Sequence, residues 1–592
     1  MIPRRSLALA LVLALALAAL PSPARAAGED IHGFVTDGIT GSVIAGACVT
    51  LGPPIRCFTT TDANGFYRID LEALAVSPGQ TWDMYFLKSP AYQTAYSGKF
   101  VVIGPVTFNQ VLMPAGQRAL CPAPQSGTPT QSAYLPNVTK TLGGAAGWQT
   151  PFIVQNTGGA AATLEVTYYR FLNGECAVRR AVSNVQPGTS FADVPNNDND
   201  LPGDTQFSVV VRSFGATVVS VVNEHAGSGA RAEALSYVGV GSGAQSVFLP
   251  NIVRRFFGYV TPVIVQNLGA NEANVTARFV SFDGSANDVT VLRKIPVGGS
   301  KFIDPNSEPG LVDGKQYTAR VTSADPISVV VNTHNDAPSV VAPVAYSTNG
   351  IATGATVVYG PYAAKNGGSA QRVSTIVVQN LSTSKTITPT LTFDDIGGSG
   401  PTTQTVTSPT PVAPGRAWAF DPRFTTGTST PCSTPSLTCL GPGEFSFIAR
   451  SNDPEAQIAV AVNVISATNA MGYTAIPTAT SRVFLPNVTR TLGGTSGWTT
   501  PILLQTVGTT NGATLKWYRF SDGQLALTQT LTITPGRGVR VDPRDVTGLQ
   551  DNTQYSVVVD GTGGGIAAIV MELASGGDNA MIYEAFPAPA VP

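Results

Sequence analysis

The chain has 592 residues, a length that suits four or five domains on a prior of roughly 100–200 residues each. Charged residues make up 12% and hydrophobic residues 43%, with 61 Gly and 44 Pro. That balance excludes a disordered chain and favours turn-rich β-structure over helices. The formal net charge of −2 gives no basic footprint for nucleic acid.

The N-terminus has the layout of a secretion signal: Arg4 and Arg5, an apolar run from Leu7 to Leu20, and small residues at Ala24-Arg25-Ala26. The run is 14 residues, short of the roughly 20 that span a bilayer, so cleavage is expected over retention as an anchor. Removing residues 1–26 takes away three arginines and no acid, which leaves a mature charge of −5. No second long apolar run follows. The expected product is secreted or associated with the cell surface, with no integral membrane segment in the mature chain.

Residues 28–114 alternate apolar and polar in short runs: Ile31 to Asp37, Ala45 to Leu51, Phe58 to Thr61, and Phe66 to Leu71. The turn Asp62-Ala63-Asn64-Gly65 closes one hairpin; Gly65 permits the tight turn, and Asp62 and Asn64 can cap its backbone. Further β-like runs cover Trp82–Leu87 and Lys99–Met113. The Gly-Ala-x-Val element at Gly46 and the Thr-Thr-Asp-x-x-Gly element ending at Gly65 resemble the carboxypeptidase regulatory-like family. That resemblance implies a small transthyretin-like β-sandwich, grouped with carbohydrate-binding-like folds, which accompanies catalytic domains and is not itself a peptidase.

Residues 115–133 read as a linker by composition. Everything beyond is four copies of one unit, at 134–240, 246–350, 357–477 and 482–592. Each opens on a Leu-Pro-Asn-Val type stretch (Leu135 to Val138, Leu249 to Ile252, Leu485 to Val488), worn in the third copy to Gly360-Pro361-Tyr362. An aromatic and a Thr-Pro pair follow, then an apolar run ending in Gln155, Gln266, Gln379 or Gln505. Each copy continues to a Pro-Gly type turn, an Asp (Asp193, Asp304, Asp421, Asp542), an aromatic-led strand, its partner, and a closing Tyr: Tyr237, Tyr346, Tyr473 or Tyr583. Seven or eight short strands in about 110 residues is the rhythm of an immunoglobulin-like sandwich. The alternation from Leu525 to Ile533 suggests one buried and one wet face. These repeats resemble immunoglobulin-like stalk and adhesion modules of exported bacterial proteins. The expected fold is therefore all-β: a signal peptide, one transthyretin-like sandwich and four tandem immunoglobulin-like sandwiches, the last ending where a fifth would begin.

Six cysteines in an exported chain invite pairing; spacing joins Cys48 to Cys57 and Cys432 to Cys439, and leaves Cys121 and Cys176. Metal binding by these residues is disfavoured, since no Cys-x-x-Cys occurs and no His lies near.

Catalysis needs a base, a nucleophile or a metal, and the sequence offers three His and no recognisable catalytic motif. His225 and His334 hold matching places, where the third copy has Asn463-Val464-Ile465 and the fourth Glu572-Leu573-Ala574. Surface or strand-end packing explains such decay better than a ligand role. The oxygen-rich loop holding Asp193, Asn197, Asp198 and Asp200 is a calcium candidate, though its spacing is not an EF-hand. Trp148 and Trp498 could stack on sugar if exposed; their recurrence with the fold favours packing. Asn137-Val-Thr139 and Asn487-Val-Thr489 match glycosylation sequons.

The sequence thus leads to an exported, non-enzymatic scaffold or adhesion protein without a cofactor, whose partner is an extracellular protein or glycan. Carbohydrate binding through the first module or through Trp82, Trp148 and Trp498 is the alternative, and an accessory part of a secreted peptidase system the third.

Overall fold

A computed structural model describes residues 30–37, 40–51, 57–71, 81–89, 91–92, 95–101, 106–112, 120–335, 343–396 and 403–588, with backbone alone at 81–83, 96–101 and 106. The secretion signal and the Trp82 side chain lie outside the described residues. The chain forms two compact units, 1–118 and 119–592. Both are built from β-strands, as the alternating patterns require.

The first unit is a sandwich of two four-stranded sheets. In one, Asp30–Asp37 lies between Phe66–Asp70 and the short strands Val106–Thr107 and Gln110–Leu112; in the other, Cys48–Leu51 lies between Thr59–Thr60 and Thr81–Leu87. Ile31, Val35, Val49, Ile69, Met84 and Phe86 fill the space between them. The predicted turn is present: Asp62 Oδ1 accepts from the N–H groups of Asn64 and Phe66 at 2.8 and 2.9 Å, and Gly65 has φ +74°. Asn64 takes part through its backbone.

In the second unit each repeat contributes eight main strands. Repeat one sets the pattern. One sheet runs, in spatial order, Cys176–Val185, Ala162–Arg170, Thr205–Phe214, Gln131–Lys140; the other runs Ser190–Asp193, Phe152–Asn156, Val218–Ala226, Glu233–Val238. Repeat four repeats this order and adds Phe586–Pro587 beside its opening strand. The putty between the sheets is aliphatic and aromatic, including Phe152, Tyr168, Phe207 and Tyr237 in repeat one and Trp517 and Tyr555 in repeat four.

The residues expected to form a linker are partly structured. Leu120 and Pro122 accept hydrogen bonds from Arg179, Gln125 donates to Glu165, and the opening strand begins at Gln131. The Cys121–Cys176 disulfide ties this segment to the first repeat; Cys48–Cys57 and Cys432–Cys439 are the other two pairs.

The four repeats do not hang as separate beads. The opening strand of each packs on the second sheet of the next, and that of repeat four packs on repeat one, against Phe152–Asn156 and Val218–Ala226. The four closing strands (233–238, 344–349, 470–474, 580–584) touch in a cycle, each its neighbours and the last the first. The second unit is a closed ring of four sandwiches within one chain. Closure explains a burial pattern that a lone sandwich would not show. Phe152–Asn156 and Val263–Asn267 are buried at every position, because their second face meets the preceding repeat. Ile153 and Val221 belong to the core of repeat four, and Ile264 and Val330 to that of repeat one. The outer strand Leu525–Thr532, by contrast, alternates between exposed and half-buried positions.

Candidate functional site at the seams between repeats

The recurring motif of each opening strand is a β-bulge. Pairing with the neighbouring strand slips between Leu135 and Val138, Leu249 and Ile252, Gly360 and Ala363, and Leu485 and Val488. Pro supplies no N–H, so the ladder must break there. The closing Tyr locks the bulge from across the sandwich. Tyr237 Oη donates to Asn137 O at 2.6 Å and accepts from Asn137 N at 3.1 Å. Tyr583 does the same with Asn487 at 2.7 and 3.2 Å, and Tyr473 with Tyr362. In repeat two, Tyr346 turns to Thr333 instead. The hydroxyl of the Thr-Pro pair accepts from the strand just past the bulge, at Thr150, Thr261 and Thr500, with Ser374 in the third copy.

The bulge aims an Asn inward. Asn137 Nδ2 donates to Glu224 Oε2 at 2.8 Å, and Asn332 of repeat two donates to the same carboxyl at 3.4 Å. In repeat four Asn487 donates to Glu572, which also accepts from Asn223 of repeat one at 3.2 Å. Ser347 and Ser236 hydroxyls orient Asn332 and Asn223 in turn. Two of the four seams thus carry a polar relay, Asn to Glu to the next repeat's Asn. Burial pushes Glu224 up to about 8 and Glu572 up to about 7, and the amide donors only partly offset it. Neither sequon is open to modification, since Asn137 and Asn487 are 4% and 6% exposed and used internally.

Trp148 and Trp498 sit half-buried at seams, each edge-on to a histidine of a neighbouring repeat. Trp148 meets His334 and Trp498 meets His225, both with ring centroids 5.4 Å apart. Burial drives His225 down to about 4. Strand register corrects the alignment of the fourth copy. Gln149 pairs with His225 and Thr499 with Leu573, so Leu573, not Ala574, holds the histidine's place, and Glu572 matches Glu224. In repeat three that place is Ile465, which packs with Tyr259 and Tyr346.

Sequence reading missed the residue on which the ring converges. Asp578 is fully buried in the hairpin of repeat four that precedes the last closing strand. Its carboxylate accepts from Ala345 N at 2.6 Å and Ala470 N at 2.9 Å, and its own N–H donates to Ala232 O at 3.0 Å. One side chain and its backbone therefore join all four repeats. Burial raises its pKa to about 8. The Gly-Gly-Asp-Asn context of Asp578 gives no sign of this.

The Pro-Gly type turns also serve the seams: Gly188, Gly298 and Gly415 carbonyls accept from Ser556, Ser208 and Thr318 of the preceding repeat. Gln155, Gln266, Gln379 and Gln505 are buried there, and Gln505 Nε2 donates across to Phe447 O at 3.1 Å. The Asn after the Gln clamps its own loop: Asn156 donates to Ala160 O and Val185 O, both at 2.7 Å.

The calcium candidates are drawn to cations of the chain itself. Asp198 pairs with Arg180, and the Asp198 and Leu201 carbonyls accept from Lys140 Nζ. Asp200 N–H donates to Asp198 at 2.9 Å, Asn197 is exposed, and buried Asp193 sits against Tyr168 with its pKa raised. A divalent ion would compete with Arg180 and Lys140 for those oxygens. Among the described residues no group of three or more His, Cys, Asp or Glu is placed to hold a metal, and no helix is long and apolar enough to cross a membrane. A cavity of about 220 Å³ opens between repeats one, three and four, with Glu584, Thr474, Thr478 and Thr480 among its apolar walls.

No family model and no curated protein matches the chain, including the region that resembles the carboxypeptidase regulatory-like family. Among solved structures, Thermotoga maritima 1070 aligns with 16% identity and a TM-score of 0.16, over 19% of this chain and 96% of that one. BcpA, the major pilin subunit of Bacillus cereus, aligns with 9% identity and a TM-score of 0.12, over 74% of this chain and 88% of that one. Likeness at such scores carries no argument about function.

Proposed function

We propose that this chain is an exported, non-catalytic scaffold of the cell surface or extracellular space, in which a ring of four β-sandwiches forms a rigid body and an N-terminal sandwich precedes it. One observation carries the reading: within the ring, buried ionisable side chains are used to hold repeat to repeat. Glu224, Glu572, Asp578, His225 and His334 all point into seams, where their partners come from another sandwich. Such placement stabilises an assembly and commits these five groups to contacts within the ring; in the first unit His32 lies 3.1 Å from Asp30 and 3.0 Å from Thr107. Purified mature protein is expected to show no turnover on a panel of peptide and glycan substrates, and to fractionate with the cell surface or medium. Measured hydrolysis that tracks the pure protein would overturn the reading. Carbohydrate binding is the competing role, and a glycan-array signal lost in Trp148→Ala and Trp498→Ala would favour it instead.

A further inference from the structure

Every repeat places a basic residue three positions beyond the bulge, and in each it grips the loop that follows the conserved Asp. Arg254 Nη1 donates to Glu308 O at 2.8 Å, and Arg490 Nη1 to Val546 O at 2.7 Å. Both also reach a carboxylate, Asp313 at 2.6 Å and Asp551 at 2.8 Å. Lys140, half-buried, reaches carbonyls alone. Repeat three differs. Lys365 is only 6% exposed and donates to Cys432 O at 2.8 Å, Leu440 O at 2.6 Å and Cys432 Sγ at 2.7 Å, with Cys439 Sγ at 3.9 Å. Among the described residues no carboxylate forms an ion pair with it. The disulfide stands where repeats two and four supply an anion.

We propose that Cys432–Cys439 is a thiol–disulfide exchange site whose substrate class is a dithiol reductant, and that Lys365 tunes it by stabilising the Cys432 thiolate. Cys432 and Cys439 are 8% and 4% exposed, so exchange requires the exposed 433–438 segment between them to open. A thiolate of the reductant then attacks Cys439 Sγ, the S–S bond breaks, and its electron pair leaves on Cys432 Sγ beside the Lys365 ammonium. The reductant's second thiolate then attacks the mixed disulfide, releasing Cys439 as a thiol. Two electrons pass to the protein, the reductant ends as its disulfide, and one of its two protons is released to solvent because Cys432 stays ionised. A nearby cation lowers a thiol's pKa and makes it a better leaving group.

Geometry beyond the lysine supports this. Besides the S–S bond, the loop is held by Ser436 N donating to Cys439 O at 2.9 Å and Gln404 Nε2 donating to Cys439 O at 3.0 Å. Burial lowers the Lys365 pKa, as expected of an ammonium without a counter-charge. The other charged groups on the surrounding elements are engaged elsewhere: Asp421 with Arg423, and Glu444 with Arg540 and Tyr362. Asp394 accepts from Thr403 Oγ1 at 2.7 Å, and Arg372 and buried Asp395 are the further charged groups on these strands.

The test equilibrates the full chain in graded ratios of reduced to oxidised dithiothreitol, traps thiols by alkylation and quantifies each cysteine pair by peptide mass spectrometry. Lys365→Met is expected to raise the ratio needed for half-reduction of Cys432–Cys439 by roughly tenfold, about 30 mV for a two-electron couple. Cys48–Cys57 and Cys121–Cys176 should not move, and Lys365→Arg should track the wild type. Equal midpoints in wild type and Lys365→Met would overturn the proposal. Should Lys365→Met fail to fold, the alkylation rate of Cys432 in the reduced wild type decides. Its pH midpoint is expected below the ordinary thiol value of about 8.5, and a midpoint at or above that value would equally overturn it.

Discussion

Repeats one and four use a buried Asn and Glu to reach the next sandwich; repeat three has Tyr362 and Val464 in those places and reaches it differently. Tyr362 Oη donates to Glu444 at 2.6 Å, and Glu444 pairs with Arg540 of repeat four at 3.0 Å. Yet the bulge and its Tyr lock are the same in all three. The difference separates what the sandwich needs from what the seam needs. The bulge recurs in all four repeats and the Tyr lock in three, whereas the polar staple across a seam is free to change chemistry as long as every buried group finds a partner. A ligand-binding role for the Leu-Pro-Asn-Val motif is hard to reconcile with an Asn that is buried and bonded at both ends.

The largest effect should come where all four repeats meet. Asp578→Ala orphans two buried N–H groups at about 1–3 kcal/mol each, so calorimetry should show a loss of roughly 2–6 kcal/mol for the whole ring. A loss confined to repeat four would break the idea that one residue ties the ring. Next, Tyr473→Phe and Tyr583→Phe should each cost about 1–3 kcal/mol and agree closely, because both locks do the same work despite different motifs. A large gap between them in chemical denaturation would show that the motif's Asn, not the bulge, sets the cost.

The pH dependence separates the repeats further. Glu224 and Glu572 have folded values near 8 and 7 against an ordinary 4.5. Below that ordinary value both are protonated, folded or unfolded, and their contribution is fully present. As pH rises, the unfolded chain ionises first, so stability falls by up to about 1.4 kcal/mol per pH unit per group, levelling off once the folded values are passed. His225, depressed to about 4 from 6.5, acts in the opposite sense: its contribution is present above its ordinary value and lost as pH falls through 4. Glu224→Gln with Glu572→Gln should flatten the fall of the unfolding midpoint between pH 4.5 and about 8; an unchanged slope there would place the titration elsewhere. The smallest effect is expected at the outer face, where Arg278 and Asp288 pair with side chains 64% and 37% exposed. Arg278→Ala should stay within about 0.5 kcal/mol.

Sandwich class and repeat number were legible because period-two alternation and a recurring Tyr and Gln leave a strong local pattern. Ring closure was not, because it joins residues more than three hundred positions apart, such as Asn223 and Glu572. Its trace is the unbroken apolar run before each Gln, which reads as burial on both faces rather than one. The Asp/Asn loop looked like a cation site since its answering charges, Lys140 and Arg180, lie on other strands. The segment 115–133 looked like a linker by composition, although Cys121 fixes part of it to the first sandwich.

Closure of the ring is tested most directly by small-angle X-ray scattering of residues 119–592. Four sandwiches closed on one another should give a radius of gyration of roughly 25 Å. A value near roughly 40 Å, that of four such domains in a row, would contradict closure.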